Sequence, residues 1–234
     1  MARRPSAGAP AAVQAAAPIA APIAAPGAVD PLRRPRGRPR KTAGELDDGN
    51  RRQELLRVAA RLFRSHGFAA TTTRDIAAAA GMQSGSPFYH FESKAALLFA
   101  VMEQGMRAAL RSQALAVNCA PAPSEALLRT LVRTHFDVLL GPDSDFIPVM
   151  LYEWRSLTPL QRTAIATLQR DYEAAWAQVL DKLCAAGRIR ADPRLARLMV
   201  LGALNWSVQW YKPKRGASID ELTAQAMKLF LPDN

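Results

Sequence analysis

The chain has 234 residues, of which 49% are apolar and 22% are charged, a balance typical of a globular protein with a sizeable core. Its two cysteines and three histidines show no metal-ligand spacing, so we expect no metal site, no disulfide framework and no cofactor. No stretch approaches the roughly 18 uninterrupted apolar residues of a membrane span, so no membrane partner is expected. The 31 basic and 20 acidic residues give a net charge of +11, which indicates a polyanionic partner.

Residues 1–46 are predicted to form a disordered arm rich in alanine and proline. Its recurring prolines prevent a continuous helix, and it lacks the large side chains needed to build a core. Residues 1–41 carry eight basic residues and one acidic residue, so most of the excess charge lies in this arm. A secretory signal is the alternative, but its apolar core would be alanine broken by proline, so we expect a cytoplasmic protein.

The arm ends in a basic run that contains the tetrapeptide Arg36-Gly37-Arg38-Pro39. A glycine lets the backbone lie close to the floor of a narrow groove, and the flanking arginines are attracted to the negative potential of A·T-rich minor grooves. The run resembles an AT-hook, so Arg36, Gly37 and Arg38 are predicted to contact DNA. A solvated tail with no binding role is the alternative.

Residues 47–93 show the pattern of a helix-turn-helix domain. Asn50, followed three residues later by Gln53, predicts the start of a first helix, which Gly67 ends. Thr72 with Asp75 predicts the start of a second helix, which Gly81 ends. A third helix is predicted from Ser84 to about Phe91, and Ser93 is predicted to cap a fourth. Two short helices joined by a tight turn can set the second of them into the major groove of DNA.

Three segments in this domain, residues 67–77, 80–81 and 85–94, resemble the DNA-binding domain of TetR-family transcriptional repressors. The resemblance implies an all-α protein, with an N-terminal three-helix DNA-binding domain and a C-terminal helical domain for ligand binding and dimerisation. It also implies a homodimer that binds a double-stranded DNA operator and releases it when a small-molecule effector binds.

The same resemblance implies DNA-contacting residues. Thr72 and Lys94 would contact phosphates, and the residues implied to contact bases or phosphates from the third helix are Gln83, Ser84, Ser86, Tyr89 and His90. Two residues depart from the family pattern, since Phe88 stands where a tyrosine is usual and Pro87 falls in the first turn of the reading helix. Arg51 and Arg52 follow the basic arm in sequence and are predicted to contact phosphates, with a solvated helix face as the alternative.

Residues 94–234 are predicted to be the ligand-binding and dimerisation domain, because every strong apolar pattern there is helical. Residues 195–210 are apolar nearly all round, and such a helix needs cover on several sides. Gly202 and Ala203 would let another helix approach closely. This helix and the last one are therefore predicted to form a two-fold four-helix interface with a second subunit.

All four tryptophans of the chain lie between residues 154 and 210, and aromatic walls of this kind line small-molecule pockets. The sequence around Trp154, Arg170 and Trp206 is similar to that of the TetR subgroup that senses acyl-CoA thioesters. On that resemblance the predicted ligand-binding residues are Trp154, Arg155, Arg162, Arg170, Trp176, Trp206 and Trp210. The arginines would bind the anionic parts of the ligand, and the alternative is that these residues form core, interface and ion pairs.

An enzyme is not expected, because no nucleophile–base pair, phosphate-binding loop or metal cluster is present and no catalytic residue can be assigned. An architectural DNA-binding protein without a ligand would not need so large an apolar C-terminal domain. A TetR-like activator remains an alternative to a repressor, because the sequence does not show whether DNA binding activates or represses transcription.

Overall fold

The structure, a computed structural model, describes residues 43–83, 87–119, 124–142, 144–212 and 216–231. Within these ranges the chain forms nine α-helices and no β-strand, so the predicted all-α fold is confirmed. Arg36, Gly37 and Arg38 of the predicted arm lie outside the described residues, as do Ser84 and Ser86.

Three helices form the N-terminal head: α1 (Ala43–Ala70), α2 (Thr73–Ala79) and α3 (Pro87–His90). The helical path of α1 is interrupted at Gly67, whose φ of 80° lies in the left-handed region that glycine adopts without strain. The Thr72 side chain accepts a hydrogen bond from the Asp75 amide, and the Asp75 carboxylate accepts one from the Thr72 amide. The predicted start of the second helix is therefore confirmed.

The predicted start of the first helix at Asn50 is wrong, because α1 already begins at Ala43 and Asn50 lies inside it. The sequence offers a second start signal, the acidic residues at positions 45, 47 and 48, which favour a helix N-terminus through their charge. The helix therefore also includes residues 43–46, which were assigned to the arm.

Six helices form the larger C-terminal part. They are α4 (Lys94–Asn118), α5 (Ser124–Leu140), α6 (Phe146–Glu153), α7 (Pro159–Ala185), α8 (Pro193–Trp210) and α9 (Ile219–Phe230), with a 3₁₀ turn at Trp154–Ser156 after α6. The predicted cap of α4 by Ser93 is confirmed. Thr158 and Ser218 form capping boxes at α7 and α9, and Asp192 caps α8.

The core lies around α4, which packs on α1, α5, α6 and α7. Its buried residues recur at helical spacing and are Leu97, Leu98, Val101, Met102, Gly105, Met106, Ala109 and Gln113. A Cβ at Gly105 would lie 2.7 Å from the Cβ of Phe146, so the glycine allows α6 to lie directly against α4. This packing places α4 and α6 between the head and the rest of the C-terminal part.

The outer face of α8 is apolar and exposed. Its exposed large side chains are Leu195, Leu198, Met199, Trp206 and Trp210, and Leu229 on α9 is also exposed. None of the helices in the described ranges combines the length and apolar composition needed to cross a bilayer.

Candidate nucleic-acid interface and effector cavity

The third helix presents its second half to solvent. Pro87 is buried as the first residue of α3, where a proline costs no helical hydrogen bond, and its carbonyl accepts the first intrahelical bond from the Phe91 amide at 2.9 Å. The Tyr89 side chain is 79% exposed and contacts the His90 ring edge-on, with 5.1 Å between ring centroids. Most of the Tyr89 side chain is therefore available to a partner.

An open groove runs between α1 and the turn that precedes α3. It brings together four of the predicted DNA-contacting residues, Arg51, Gln83, Tyr89 and His90. Its other lining residues are Asn50, Gln53, Glu54, Arg57, Ala80, Gly81 and Met82. The sequence did not single out Arg57, whose guanidinium forms an ion pair with Glu54 on the wall of this groove.

Two of the predicted phosphate contacts have structural roles in the head. The Thr72 hydroxyl accepts from the Asp75 amide and donates to the Asp75 carboxylate, which also accepts from the Thr72 amide. The two bonds that the carboxylate accepts lower the pKa of Asp75. The guanidinium carbon of Arg52 lies 4.9 Å from the centroid of the Phe91 ring, a cation–π distance. Phosphate contact by Thr72 and Arg52 remains a prediction.

Lys94 joins the start of α4 to the turn formed by residues 67–72, where α1 ends and α2 begins. Its Nζ donates hydrogen bonds of 2.8 Å to the carbonyls of Phe68 and Thr71, and it lies 4.3 Å from the centroid of the Phe68 ring. An ammonium has three N–H donors, so one remains for a phosphate contact, which stays a prediction. The lysine thus holds the head to α4 in addition to any contact with DNA.

Glu153, at the end of α6, binds the same turn. Its Oε1 accepts a 2.8 Å hydrogen bond from the Phe68 amide, and its Oε2 accepts one from the Ser156 hydroxyl at 2.8 Å. At the other end of α6, Asp145 accepts a 2.9 Å charged hydrogen bond from Arg64 on α1. Both ends of α6 are therefore tied to the head, a connection that the sequence did not reveal.

A small cavity of about 60 Å³ lies in the C-terminal part. Its lining residues come from α4, α5, α6, α7 and α8 and are Met106, Ala109, His135, Val138, Ile147, Met150, Gln169, Tyr172, Glu173, Leu201 and Asn205. Apolar walls with a few converging polar groups are typical of small-molecule sites.

The polar side of this cavity is centred on His135. Its Nδ1 lies 2.9 Å from the Tyr172 hydroxyl and its Nε2 lies 3.1 Å from Oδ1 of Asn205, while the buried ring of Trp176 meets it edge-on at 5.6 Å. Burial disfavours the charged imidazole and lowers the pKa of His135 to about 4, so the residue is neutral at pH 7. Burial also raises the pKa of Tyr172, so both groups are uncharged.

None of the seven predicted ligand-binding residues lines this cavity. Trp176 is fully buried behind His135, and Trp154 is half-buried in the turn after α6. Trp206 and Trp210 are 65% and 53% exposed on the outer face of α8. The three predicted arginines also lie outside the cavity, and they are Arg155, Arg162 and Arg170. The cavity residues were not predictable from the sequence because they are scattered over five helices and form no cluster along the chain.

Comparison with known proteins agrees with this architecture. The model of the bacterial regulatory proteins of the tetR family matches residues 55–101, and the model of a tetracyclin repressor-like C-terminal domain matches residues 121–232. A curated relative, the HTH-type transcriptional repressor KstR2 of Rhodococcus jostii strain RHA1, is 31% identical over 186 residues, which span 77% of this chain and 89% of the relative.

Solved structures show the same fold. The crystal structure of AibR in complex with isovaleryl coenzyme A and operator DNA is 25% identical, with a TM-score of 0.73 over 79% of this chain and 100% of AibR. The crystal structure of the superantigen PfiT is 35% identical, with a TM-score of 0.65 over 79% of this chain and 97% of PfiT.

A small helical head with an exposed third helix, set on a helical body with an internal cavity, defines a helix-turn-helix transcriptional regulator. The chain belongs to the TetR family of bacterial regulatory proteins and is not an enzyme. The resemblance found in residues 67–94 is thereby confirmed.

We expect the hydrogen bond between Glu153 and the Phe68 amide to stabilise the fold measurably. In the Glu153→Ala variant the half-buried Phe68 amide loses its partner, so the free energy of unfolding should fall by about 1–3 kcal/mol. The control is Glu103→Ala, which removes an exposed ion pair with Arg107 within α4 and should cost at most about 0.5 kcal/mol. Urea denaturation measures both, and equal losses would contradict the role of Glu153.

Acidification should destabilise the protein through His135. The unfolded chain takes up a proton near the usual pKa of 6.5 and the native chain only near 4, so the free energy of unfolding falls as the pH drops from 6.5 to 4. Between pH 7 and pH 5 the loss from this group should be about 2 kcal/mol. Urea denaturation at both pH values should show a smaller loss for His135→Leu than for the wild type. The exposed His66, replaced by Gln, serves as control and should leave the loss unchanged.

Proposed function

We propose that this protein is a cytoplasmic repressor that binds a palindromic operator as a homodimer and leaves it when an acyl-CoA thioester binds. The observation that carries the proposal is the exposed Tyr89 on α3, which shares a groove with Gln83 and Arg51. The relatives support the rest, since KstR2 is named as a repressor and AibR was solved with both an acyl-CoA and operator DNA.

The contacts with DNA would come from the head and the arm. Arg51, Gln83, Tyr89 and His90 line one open groove, and their donors can reach phosphates and base edges. Thr72, Lys94 and Arg52 are proposed to contact phosphates beside it. The remaining proposed DNA-contacting residues are Arg36, Gly37 and Arg38 of the arm and Ser84 and Ser86 before α3.

A second copy of the chain would cover the apolar face of α8. Leu195, Met199, Trp206 and Trp210 are each more than half exposed and recur at three- and four-residue multiples along one side of the helix. Nothing within 4 Å would meet a Cβ at Gly202, on the same helix, so a second helix can approach there. Two-fold pairing through this face fits a dimer whose reading helices meet half-sites about one DNA turn (~35 Å) apart.

The effector would use the cavity and the surface next to it. Gln169 and Asn205 line the cavity. Arg170 follows Gln169 on α7 and Trp206 follows Asn205 on α8, and both of these next residues are exposed. An acyl group in the cavity would therefore leave the anionic part of a CoA thioester near exposed residues of α7 and α8. The residues proposed to bind it are Arg155, Arg162, Arg170, Trp154, Trp206 and Trp210, with Trp176 supporting the cavity from behind.

We expect Tyr89→Ala to weaken operator binding without changing stability, because the side chain is 79% exposed. Loss of one base or phosphate contact should lower the affinity about tenfold. The control is Leu160→Ala on α7, a side chain that is 81% exposed and far from α3 in sequence. Fluorescence anisotropy on an operator selected from genomic fragments measures the affinity, and sedimentation should give two chains per palindrome. Equal affinities of both variants would contradict the assigned surface.

Acyl-CoA thioesters should release the operator, and free CoA should not. Differential binding of the effector by about 1–3 kcal/mol would lower operator affinity roughly 5- to 150-fold. Arg170→Gln should raise the thioester concentration needed for release, whereas Arg129→Gln, an exposed arginine on α5, should not. Retention of DNA at saturating concentrations of every thioester tested would reject this effector class.

A further inference from the structure

One polar side chain lies on the exposed apolar face of α8. This face includes Leu195, Met199, Trp206 and Trp210, and Gln209, three positions after Trp206, falls on the same side of the helix and is also exposed. The proposed dimer would cover this face and would therefore bury the Gln209 amide. Burying an amide costs free energy unless the amide keeps a hydrogen-bond partner. A stable pairing through this face thus needs a partner for Gln209.

Helix α6 supplies that partner. Nε2 of Gln209 donates a 2.6 Å hydrogen bond to the hydroxyl of Tyr152, whose side chain is 49% exposed. Across Phe146–Glu153 and Pro193–Trp210, all of which the structure describes, no other hydrogen bond or ion pair joins α6 to α8. Tyr152 therefore extends the exposed face of α8 onto the end of α6, and a second subunit that covers Gln209 would reach it there.

The next residue of α6 binds the head. Glu153 accepts a 2.8 Å hydrogen bond from the Phe68 amide, in the turn formed by residues 67–72. Tyr152 and Glu153 are adjacent on one helix, so a shift of one moves the other. On an exposed surface water competes for the bond between Tyr152 and Gln209, whereas breaking the same bond under a second subunit would leave a buried amide N–H without a partner. Cover by that subunit therefore strengthens the connection from α8 through α6 to the head.

We propose that Tyr152 is a positioning residue that couples subunit pairing to DNA binding. In the dimer the second copy of the chain shields the bond between Tyr152 and Gln209. The shielded bond fixes the end of α6 and, through Glu153, the head that carries the reading helix. Coupling of this kind is reciprocal, so operator binding also tightens the dimer. This inference rests on the proposed dimer and its operator binding, and it adds a residue that serves both from outside the head and outside α8.

The first experiment separates pairing from positioning in the full-length protein. Tyr152→Phe keeps the ring but leaves Gln209 without its acceptor, so sedimentation should show a dimer dissociation constant about tenfold higher than that of the wild type. The double variant Tyr152→Phe/Gln209→Leu replaces both partners with apolar groups, so its dimer should return to within about threefold of the wild type. The control Tyr211→Phe removes the hydroxyl of the half-buried tyrosine that follows α8, and it should dimerise as the wild type does.

Operator binding of the same variants reports the positioning role. Fluorescence anisotropy is measured at concentrations at which each variant is dimeric, so that weaker pairing does not affect the result. Tyr152→Phe and the double variant both lack the link from α8 to α6, and each should bind operator at least about fivefold more weakly than the wild type. Tyr211→Phe should bind as the wild type does. Recovery of dimerisation without recovery of operator affinity is the result that a purely structural role of Tyr152 in the interface would not give.

Amide hydrogen exchange follows the same connection inside the head. In nitrogen–proton NMR spectra of dimeric Tyr152→Phe, the Phe68 amide should exchange at least about fivefold faster than in the wild type, because its bond to Glu153 opens more often. The Asp75 amide, which is bonded to Thr72 within the head, serves as internal control and should keep its rate.

Four results would overturn the inference. Wild-type operator affinity in the double variant rejects the positioning role, and so does an unchanged exchange rate of the Phe68 amide in Tyr152→Phe. Equal acceleration of the Phe68 and Asp75 amides indicates a general loosening of the head rather than a specific link. A wild type that sediments as a monomer at micromolar concentration rejects the proposed dimer together with this inference, whereas the first three results leave the dimer and its operator binding in place.

Discussion

The turn from Gly67 to Thr72 is the constraint on which the rest of the structure depends. The ammonium of Lys94 binds two of its carbonyls, and the carboxylate of Glu153 binds its Phe68 amide. A positive charge from α4 thus binds carbonyl oxygens of this short turn, and a negative charge from α6 binds an amide N–H of the same turn. The positive φ of Gly67 brings the turn to them, and a Cβ there would lie 3.4 Å from Oε1 of Glu153.

This arrangement makes α6 the direct link between the cavity and the head. Met150 lines the cavity and Glu153, one helical turn later, binds the head, so the two contacts are only about 5 Å apart along the helix axis. Arg64 of α1 holds Asp145 before the other end of the helix. A group that enlarged the cavity would displace Ile147 and Met150, and α6 could not then move without changing the position of α1 and the turn. We propose this as the route by which effector binding misaligns the reading helices.

Local signals in the sequence predicted the start of α2 and the cap of α4 by Ser93. The capping box at Thr72 depends on residues three positions apart, and it forms as its spacing predicts. The same rule failed at Asn50, because an acidic segment just before it also favours a helix start, and local rules do not rank two competing starts. The exposed apolar face of α8 was likewise visible in the sequence, since a helix that is apolar all round cannot be covered by one small subunit.

The cavity in the C-terminal part was not predictable in the same way, because its chemistry arises from residues that are distant in sequence. His135 lies 37 residues from Tyr172 and 70 from Asn205, and only the packing of three helices brings their side chains together. A single histidine, tyrosine or asparagine on a helix does not indicate a binding site in a sequence, whereas tryptophans and arginines are typical of such sites. The sequence therefore indicated Trp206 but not the adjacent Asn205.

A tryptophan that is 65% exposed beside a cavity residue is suited to cover the cavity from outside. In a dimer the same exposed face of α8 would also meet the second subunit. A ligand held there would touch both the cavity and the interface, so its binding would depend on dimerisation as well as on the residues inside the cavity.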